Sequence, residues 1–487
     1  MNMNYKEKRK KQIQKMMGKA YYDCKWLTDK EATIAHKERG ILLKSLSNKV
    51  KYSFMNNKIY TGDLSPGCII CGEGYWQCMQ INIVCTANCF FCPQNRKIKT
   101  ESPPREPDTN CTIPNPKSYL KYLKRFNFKG VGITGGEPLL VFELVLSYLN
   151  EIRKGFADKI YLWLYTNGSL VDETKLEKLK QAGLNEIRFN ISANNYDLKP
   201  VKLATRYINT VTVEIPAIPE DYEIVKKSLP EMKKIGVKHL NLHNLRASRH
   251  NYRNLLKRNY TFLHNHPNTT LESELTALKL VKYSLDKKIG LPINYCSEVY
   301  KDRLQGKGYR RWTAPLAKDD VEELTSANYI RRLSIKDTSY NLKKIIGILR
   351  KNKCDDTLWS LNHAKDELFI HSSFLKHIDF RKHSLTISYF RPHLLKVLRP
   401  GRADKPIKLF GYIFSAEKEF CEKQTLLNPA TITTFQELFI ENMEEKKALN
   451  TFYNKTNLTL RDWKKEVELL FTLRIWEQIE SDLPEIF

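Results

Sequence analysis

The 487-residue chain has no hydrophobic run long enough to cross a bilayer. Its most apolar helix-length stretch, LLVFELVLSYL, is too short and carries a glutamate. The start, MNMNYKEKRKKQIQKMMGK, is basic but lacks the apolar centre of a secretory signal. Internal repeats and low-complexity runs are also missing. These absences lead to the expectation of a cytoplasmic protein with no membrane partner. In a reducing compartment, clustered cysteines point to metal or catalysis more often than to disulfides. Negative charge is in deficit too, with 54 Asp+Glu against 81 Lys+Arg and a net charge of +27. That surplus allows an anionic partner such as RNA, although drift toward AT-rich codons yields the same composition.

What is present divides into four regions. Residues 1–60 read as a basic helical extension, with 14 Lys/Arg against 5 Asp/Glu over the first 51 positions. Residues 61–312 contain a Pro-rich linker, ESPPREPDTNCTIPNP, and then alternate strand and helix. With MQINIV, the segments KGVGITGG, KIYLWLYTNG, NEIRFNIS, NTVTVEIPAIP and VKHLNLHNL make six strands, most separated by helical stretches. That order is the signature of parallel βα units closing into a full or partial barrel, with its site at the strands' C-terminal ends. Residues 313–400 read as mixed α+β. Residues 401–487 read as mainly helical, with a capping box at Thr459 and Asp462 before the last segment.

Six of the 11 cysteines fall between Cys68 and Cys92. Cys85, Cys89 and Cys92 form CxxxCxxC on a loop after the first strand. Three thiolates so spaced can hold one corner of a compact cluster and leave one metal open to an exogenous chelator; part of a zinc site is the other reading. GITGGEPL closes the next strand. Its Gly135 and Gly136 let the backbone approach a ligand closely, and Glu137 can accept charge-assisted hydrogen bonds from an ammonium.

Together these residues resemble the radical S-adenosylmethionine (radical SAM) superfamily: Cys85-x3-Cys89-x2-Cys92, the aromatic Phe91, and GGEP one strand later. The resemblance extends to a poorly characterised branch related to pyruvate formate-lyase activating enzyme. Its members are similar in a CxxC (Cys68, Cys71), in LYTNG, EIRF and VEIPAIP, and in YCSxxYKDxxQ from Tyr295 to Gln305. It covers roughly residues 60–312 and implies a partial (β/α)6 barrel. It also implies a [4Fe–4S] cluster on Cys85, Cys89 and Cys92, SAM beside Phe91, Gly135, Gly136 and Glu137, and a reductant such as flavodoxin or ferredoxin. The reaction implied is reductive SAM cleavage to a radical that abstracts hydrogen, with a protein or peptide as substrate. An RNA substrate is the alternative that the charge favours. A zinc-bearing nucleic-acid-binding protein without catalysis is the alternative of another class.

Cys68, Cys71 and Cys296 suggest a second centre, an auxiliary iron–sulfur cluster or a zinc, with Cys78 either a fourth ligand or a buried inert thiol. Strand parity gathers Tyr165 with Asn167, Arg188 with Asn190, and Asn241 with His243, near the strands' C-terminal ends. Glu214 is a charge in an apolar run. Asn167 and Asn190 are read as cofactor contacts; Arg188, Glu214 and His243 as lumen or substrate residues, or as partners of one another. The basic, aromatic segment LRASRHNYRNLLKRNYTFLHNH suits either stacking on bases or an amphipathic helix over the barrel mouth.

Overall fold

A computed structural model describes residues 10–479 except 12, 16, 95–99, 265–267, 398–405, 422–423 and 456–457. The first nine residues, where the basic arm begins, lie outside it, as do the last two residues (265–266) of the basic segment ending in NYTFLHNH. The chain divides into two compact units between Gly308 and Tyr309.

The first unit is α/β, built on one curved sheet. Its parallel strands are β3 (Trp76–Asn82), β6 (Gly130–Gly135), β7 (Tyr161–Thr166), β8 (Glu186–Phe189), β9 (Thr210–Pro216), β10 (His239–His243) and β11 (Ile293–Cys296), adjacent in that order. Short antiparallel pairs flank them: β1 (Lys51–Ser53) with β2 (Lys58–Tyr60) beside β11, and β4 (Arg105–Glu106) with β5 (Cys111–Thr112) beside β3. Helices such as Phe142–Phe156, Glu173–Gln181, Tyr222–Lys234 and Leu271–Asp286 join successive strands, as parallel pairing requires. The result is a partial barrel of βα units whose strand interiors, including Val131, Ile133, Leu162, Ile187, Val213 and Leu240, are fully buried.

Two sequence expectations change here. Among the described residues there are seven parallel strands rather than six, because Ile293–Cys296 forms a further strand, β11, beside β10. INYC is only four residues long, too short for periodicity to declare itself. The N-terminal region is also no mere appendage. Helix Asp29–Leu46 opens with a capping box between Thr28 and Glu31 and docks through a buried Arg39–Glu274 pair at 2.6 Å, while residues 51–60 extend the barrel sheet.

The second unit is an antiparallel sheet in the order β14 (Trp359–Leu361), β15 (Glu367–Ile370), β13 (Ile330–Lys336), β16 (Leu385–Lys396), β18 (Tyr412–Phe420), β17 (Pro406–Leu409). Helix Ser339–Lys351 buries Leu342, Ile345 and Leu349 in its core. The sheet continues to β19 (Thr425–Leu427), so the expected helical character begins only at Pro429. Burial alternating along Pro406–Leu409 and pairing of Phe390–Lys396 with Phe414–Phe420 hold those residues extended, overriding their local preference.

Candidate active site

The CxxxCxxC loop leaves the C-terminal end of β3 with Cys85 exposed and Cys89 and Cys92 half-buried. It is anchored from two sides. From the end of β7, Asn167 Nδ2 donates to Thr86 Oγ1 at 2.8 Å and to Cys85 Sγ at 3.6 Å, and Thr86 and Ser169 hydroxyls meet at 2.8 Å. From the chain after β10, the buried Asn251 donates to the carbonyls of Phe91 (2.7 Å) and Arg246 (2.9 Å) and accepts from the Ser248 amide. Ser248 Oγ donates to Pro93 O, and the Arg258 guanidinium lies 3.6 Å over the Phe90 ring. Phe90 and Phe91 pack against Ile218, Leu245, Leu255 and Phe262.

The basic segment after β10 is therefore largely a clamp. Among its described residues it contains only the short helix Tyr252–Leu256, not the long amphipathic helix over the mouth that was one of its two readings. Sequence reading missed Asn251, whose side chain sits among other polar and basic residues (Ser248, Asn254, Asn259) and gives no periodic signal.

Gly135 and Gly136 stitch β6 to the cysteine loop. The Gly136 and Glu137 amides donate to Asn82 O (2.7 Å) and Val84 O (2.8 Å). A Cβ on Gly135 would lie 2.0 Å from Asn82 O, one on Gly136 2.0 Å from Val84 O, and Gly135 has φ +147°; only glycine meets these constraints. Glu137 turns inward. It accepts from Leu139 N, Thr166 Oγ1 and Asn167 N at 2.8–3.0 Å, so its carboxylate braces the ends of β6 and β7. Burial raises its pKa, and these three donors oppose that rise.

No three His, Cys, Asp or Glu side chains among the described residues stand in the geometry of a preformed metal site. The donor chemistry nevertheless suits an iron–sulfur cluster with a polar cofactor. Three soft thiols share one loop, and Cys85 Sγ already accepts from the Ala87 amide and the Asn167 side chain. Beside them, Asn82 Nδ2 and Gln94 Oε1 are buried without a hydrogen-bond partner, although Gln94 donates to Gly135 O at 2.9 Å. Buried polar atoms left unpaired next to a glycine turn are what a polar ligand would satisfy. Asn190 lies on the neighbouring strand end, its amide on Thr166 O and its Oδ1 accepting from Ser192.

Arg188, Glu214 and His243 form one chain of contacts in the lumen. Arg188 reaches Glu186 and Glu214, both at 2.9 Å, and Ser65. Glu214 also accepts from Asn241 (2.8 Å) and His243 Nε2 (3.0 Å). His243 Nδ1 meets Lys301 Nζ at 2.8 Å, Lys301 pairs with Glu298, and Glu298 with Arg246 at 3.4 Å. Burial opposes ionisation of Glu214, but His243 and Arg188 outweigh it and hold its carboxyl well below the usual range. Burial and the Lys301 ammonium depress the His243 pKa. The imidazole is therefore neutral, accepting at Nδ1 from Lys301 and donating from Nε2 to Glu214. The pairing of Arg188 with Glu214, one of the readings open from sequence, is present.

Cys68 and Cys71 lie on helix Pro66–Glu73, which starts at a Ser65 cap and ends at Gly74 in left-handed conformation. They share an electrostatic neighbourhood with Cys296 around the buried Lys58. Cys68 Sγ accepts from Asn241 Nδ2 (3.4 Å), Cys71 Sγ from Gln305 Nε2 (3.5 Å) and Cys296 Sγ from Lys58 Nζ (3.5 Å). Burial pushes the Cys71 thiol up to about 12 and raises Cys296 as well. Cys78 is on β3, opposite Gly132, and burial raises its thiol also. Lys58 and Gln305 were not assigned to this group from sequence.

The chain is also similar to known proteins. The Radical SAM superfamily profile matches residues 79–245. A Methanocaldococcus jannaschii protein, MJ0021, named by inference as a glycyl-radical enzyme activating enzyme, is 33% identical over 304 residues, 60% of this chain and 79% of that one. The GTP 3′,8-cyclase of Aquifex aeolicus is 32% identical over 127 residues, 26% of this chain and 37% of the cyclase. Among solved structures, Streptococcus suis SuiB bound to S-adenosylmethionine is 15% identical with a TM-score of 0.34, over 60% of each chain. At that score the architecture rests on the strands described above. No helix is long and apolar enough to cross a membrane among the described residues.

Proposed function

From the chain's membership of the radical SAM superfamily, we propose that it cleaves SAM reductively at a cluster on Cys85, Cys89 and Cys92, and acts on a protein or peptide. When bound and reduced by a donor such as flavodoxin or ferredoxin, the cluster would supply the one electron needed to cleave the sulfonium S–C5′ bond of SAM and so drive hydrogen abstraction from substrate. The chain's own part is placement. The three thiols hold the cluster. The Gly135–Gly136 backbone, Asn82 and Gln94 offer polar contacts beside it, and Asn167 fixes the loop against β7. The observation that carries the reading is the joining of that loop to the glycine turn through Asn82 and Val84, next to the unpaired Asn82 and Gln94 atoms. The Arg188–Glu214–His243–Lys301 chain provides a charged, ordered wall in the lumen for a polar substrate.

The protein or peptide class rests on the name of the M. jannaschii relative. Glycyl-radical activation and peptide side-chain modification both fall within it. Uniformly deuterated protein and RNA pools test it, because hydrogen abstraction moves substrate deuterium into 5′-deoxyadenosine. Deuterated product with the protein pool alone is expected. Deuterium from the RNA pool alone would transfer the assignment to RNA, the reading that the net charge favours.

A further inference from the structure

Three cysteines surround one buried ammonium in the barrel unit, none of them on the loop that carries CxxxCxxC, although they do not stand in a preformed metal geometry. Cys68 and Cys71 come from helix Pro66–Glu73, Cys296 from the end of β11, and Lys58 from β2. The antiparallel register of Ile59 with Tyr295 sets Lys58 across from Cys296. Lys58 is 1% exposed, and its Nζ lies 3.5 Å from Cys296 Sγ and 4.1 Å from the centre of the Tyr300 ring.

The other buried cations of the lumen each touch a carboxylate: Arg188 touches Glu186 and Glu214, and Lys301 touches Glu298. Lys58 makes no such pair among the described residues; its charge faces sulfur. A buried ammonium without an anion is costly. Each of the three sulfurs, moreover, has its own N–H donor, and the donors come from three separate elements: Asn241 from β10, Gln305 from helix Glu298–Ala317, and Lys58 from β2. A neutral thiol is a weak acceptor. Three cysteines that merely packed as small hydrophobes would have no need of three polar groups aimed at sulfur, and would leave those donors poorly satisfied.

We propose that Cys68, Cys71 and Cys296 are thiolate ligands of a second, thiophilic metal centre, an iron–sulfur cluster or a zinc, and that Lys58 is its charge partner. A dication on three thiolates carries one net negative charge, which one ammonium offsets. Both zinc and an oxidised cubane core meet that condition, so the chemistry is shared and the metal is what the experiment distinguishes. Asn241 and Gln305 orient two of the sulfurs, as outer-shell donors do in metal sites. The proposal does not depend on SAM cleavage, because the site shares no ligand with the first cluster.

The test uses the full chain carrying Cys85→Ala, Cys89→Ala and Cys92→Ala, so that any metal retained belongs elsewhere. It is loaded anaerobically with iron and sulfide, or with zinc alone, and metal is counted after gel filtration. Retention of about four iron or about one zinc per chain is expected, falling to background when Cys296→Ser is added. Lys58→Met, which keeps the apolar stem, should release the metal to a chelator at least tenfold faster. Circular-dichroism melting checks that each variant is folded, and Cys71→Ser replaces Cys296→Ser if the latter is not. A folded triple variant that retains no stoichiometric metal overturns the proposal, and so does a Lys58→Met variant that releases metal at the parent rate. SAM cleavage by the wild-type chain, measured in parallel, keeps failure here separate from failure of the superfamily assignment.

Discussion

The two cysteine groups of the barrel unit are built on opposite principles. Cys85, Cys89 and Cys92 are exposed or half-buried on a loop, and the protein spends its polar contacts on that loop's backbone, through Asn167, Asn251, Ser248 and the glycine turn. Cys68 and Cys296 are buried and Cys71 half-buried on regular elements, and the polar contacts go to the sulfurs themselves. A loop held by its backbone leaves its thiols and their ligand open to a cosubstrate. Sulfurs held individually inside a barrel have no such access. Under the two proposals above, exchange and chemistry fall to the first group and a fixed centre to the second.

That contrast can be broken in graded ways. The largest effect expected is loss of the first cluster: Cys89→Ala should remove about four iron per chain by metal analysis and leave the melting temperature nearly unchanged, since the loop is not part of the core. Next is Arg188→Met, which leaves Glu186 and Glu214 buried without their cation. Denaturant unfolding should show a loss of about 3–5 kcal/mol; an unchanged midpoint would remove the lumen network from the account of stability.

Asn251→Ala should follow, with cluster retention against a chelator falling about 10- to 100-fold and the cluster's electron paramagnetic resonance signal broadened. Asn251→Asp keeps the acceptor for Ser248 but loses the donor to Phe91 O, so it should behave like the alanine variant if the clamp on the loop is what matters. The smallest effect is acid sensitivity. Glu214 has a folded pKa below its unfolded value near 4.3, so its contribution is complete above that pH and is lost progressively as pH falls from there toward the lower folded pKa. Glu214→Gln should flatten the stability profile between roughly pH 5 and 3, by on the order of 2 kcal/mol.

Much of the barrel was legible because six short strands rich in aliphatic and aromatic residues end at or beside glycine, asparagine or proline and alternate with helical stretches. CxxxCxxC and GGEP were legible because metal and close-approach chemistry constrain residue type directly. Lys58 was not, since its meaning comes from pairing with β11 some 235 residues later (Ile59 with Tyr295), and nothing local marks it. Asn251 was hidden for the same reason: its partners are carbonyls of Phe91 and Arg246. The strands between Pro406 and Leu427 read as helix in the sequence because sheet pairing, β18 and β19 on β16 and β17 on β18, and not local propensity sets their conformation.

The most direct measurement is release of 5′-deoxyadenosine from SAM by the anaerobically reconstituted, reduced full-length chain, beside its Cys92→Ala variant. The wild type should release it, and the variant should lose that release by at least about 1,000-fold, a difference of roughly 4 kcal/mol. A folded, iron-replete wild type that leaves SAM intact, or equal release by the variant, would contradict the assignment of the CxxxCxxC loop as the reactive centre.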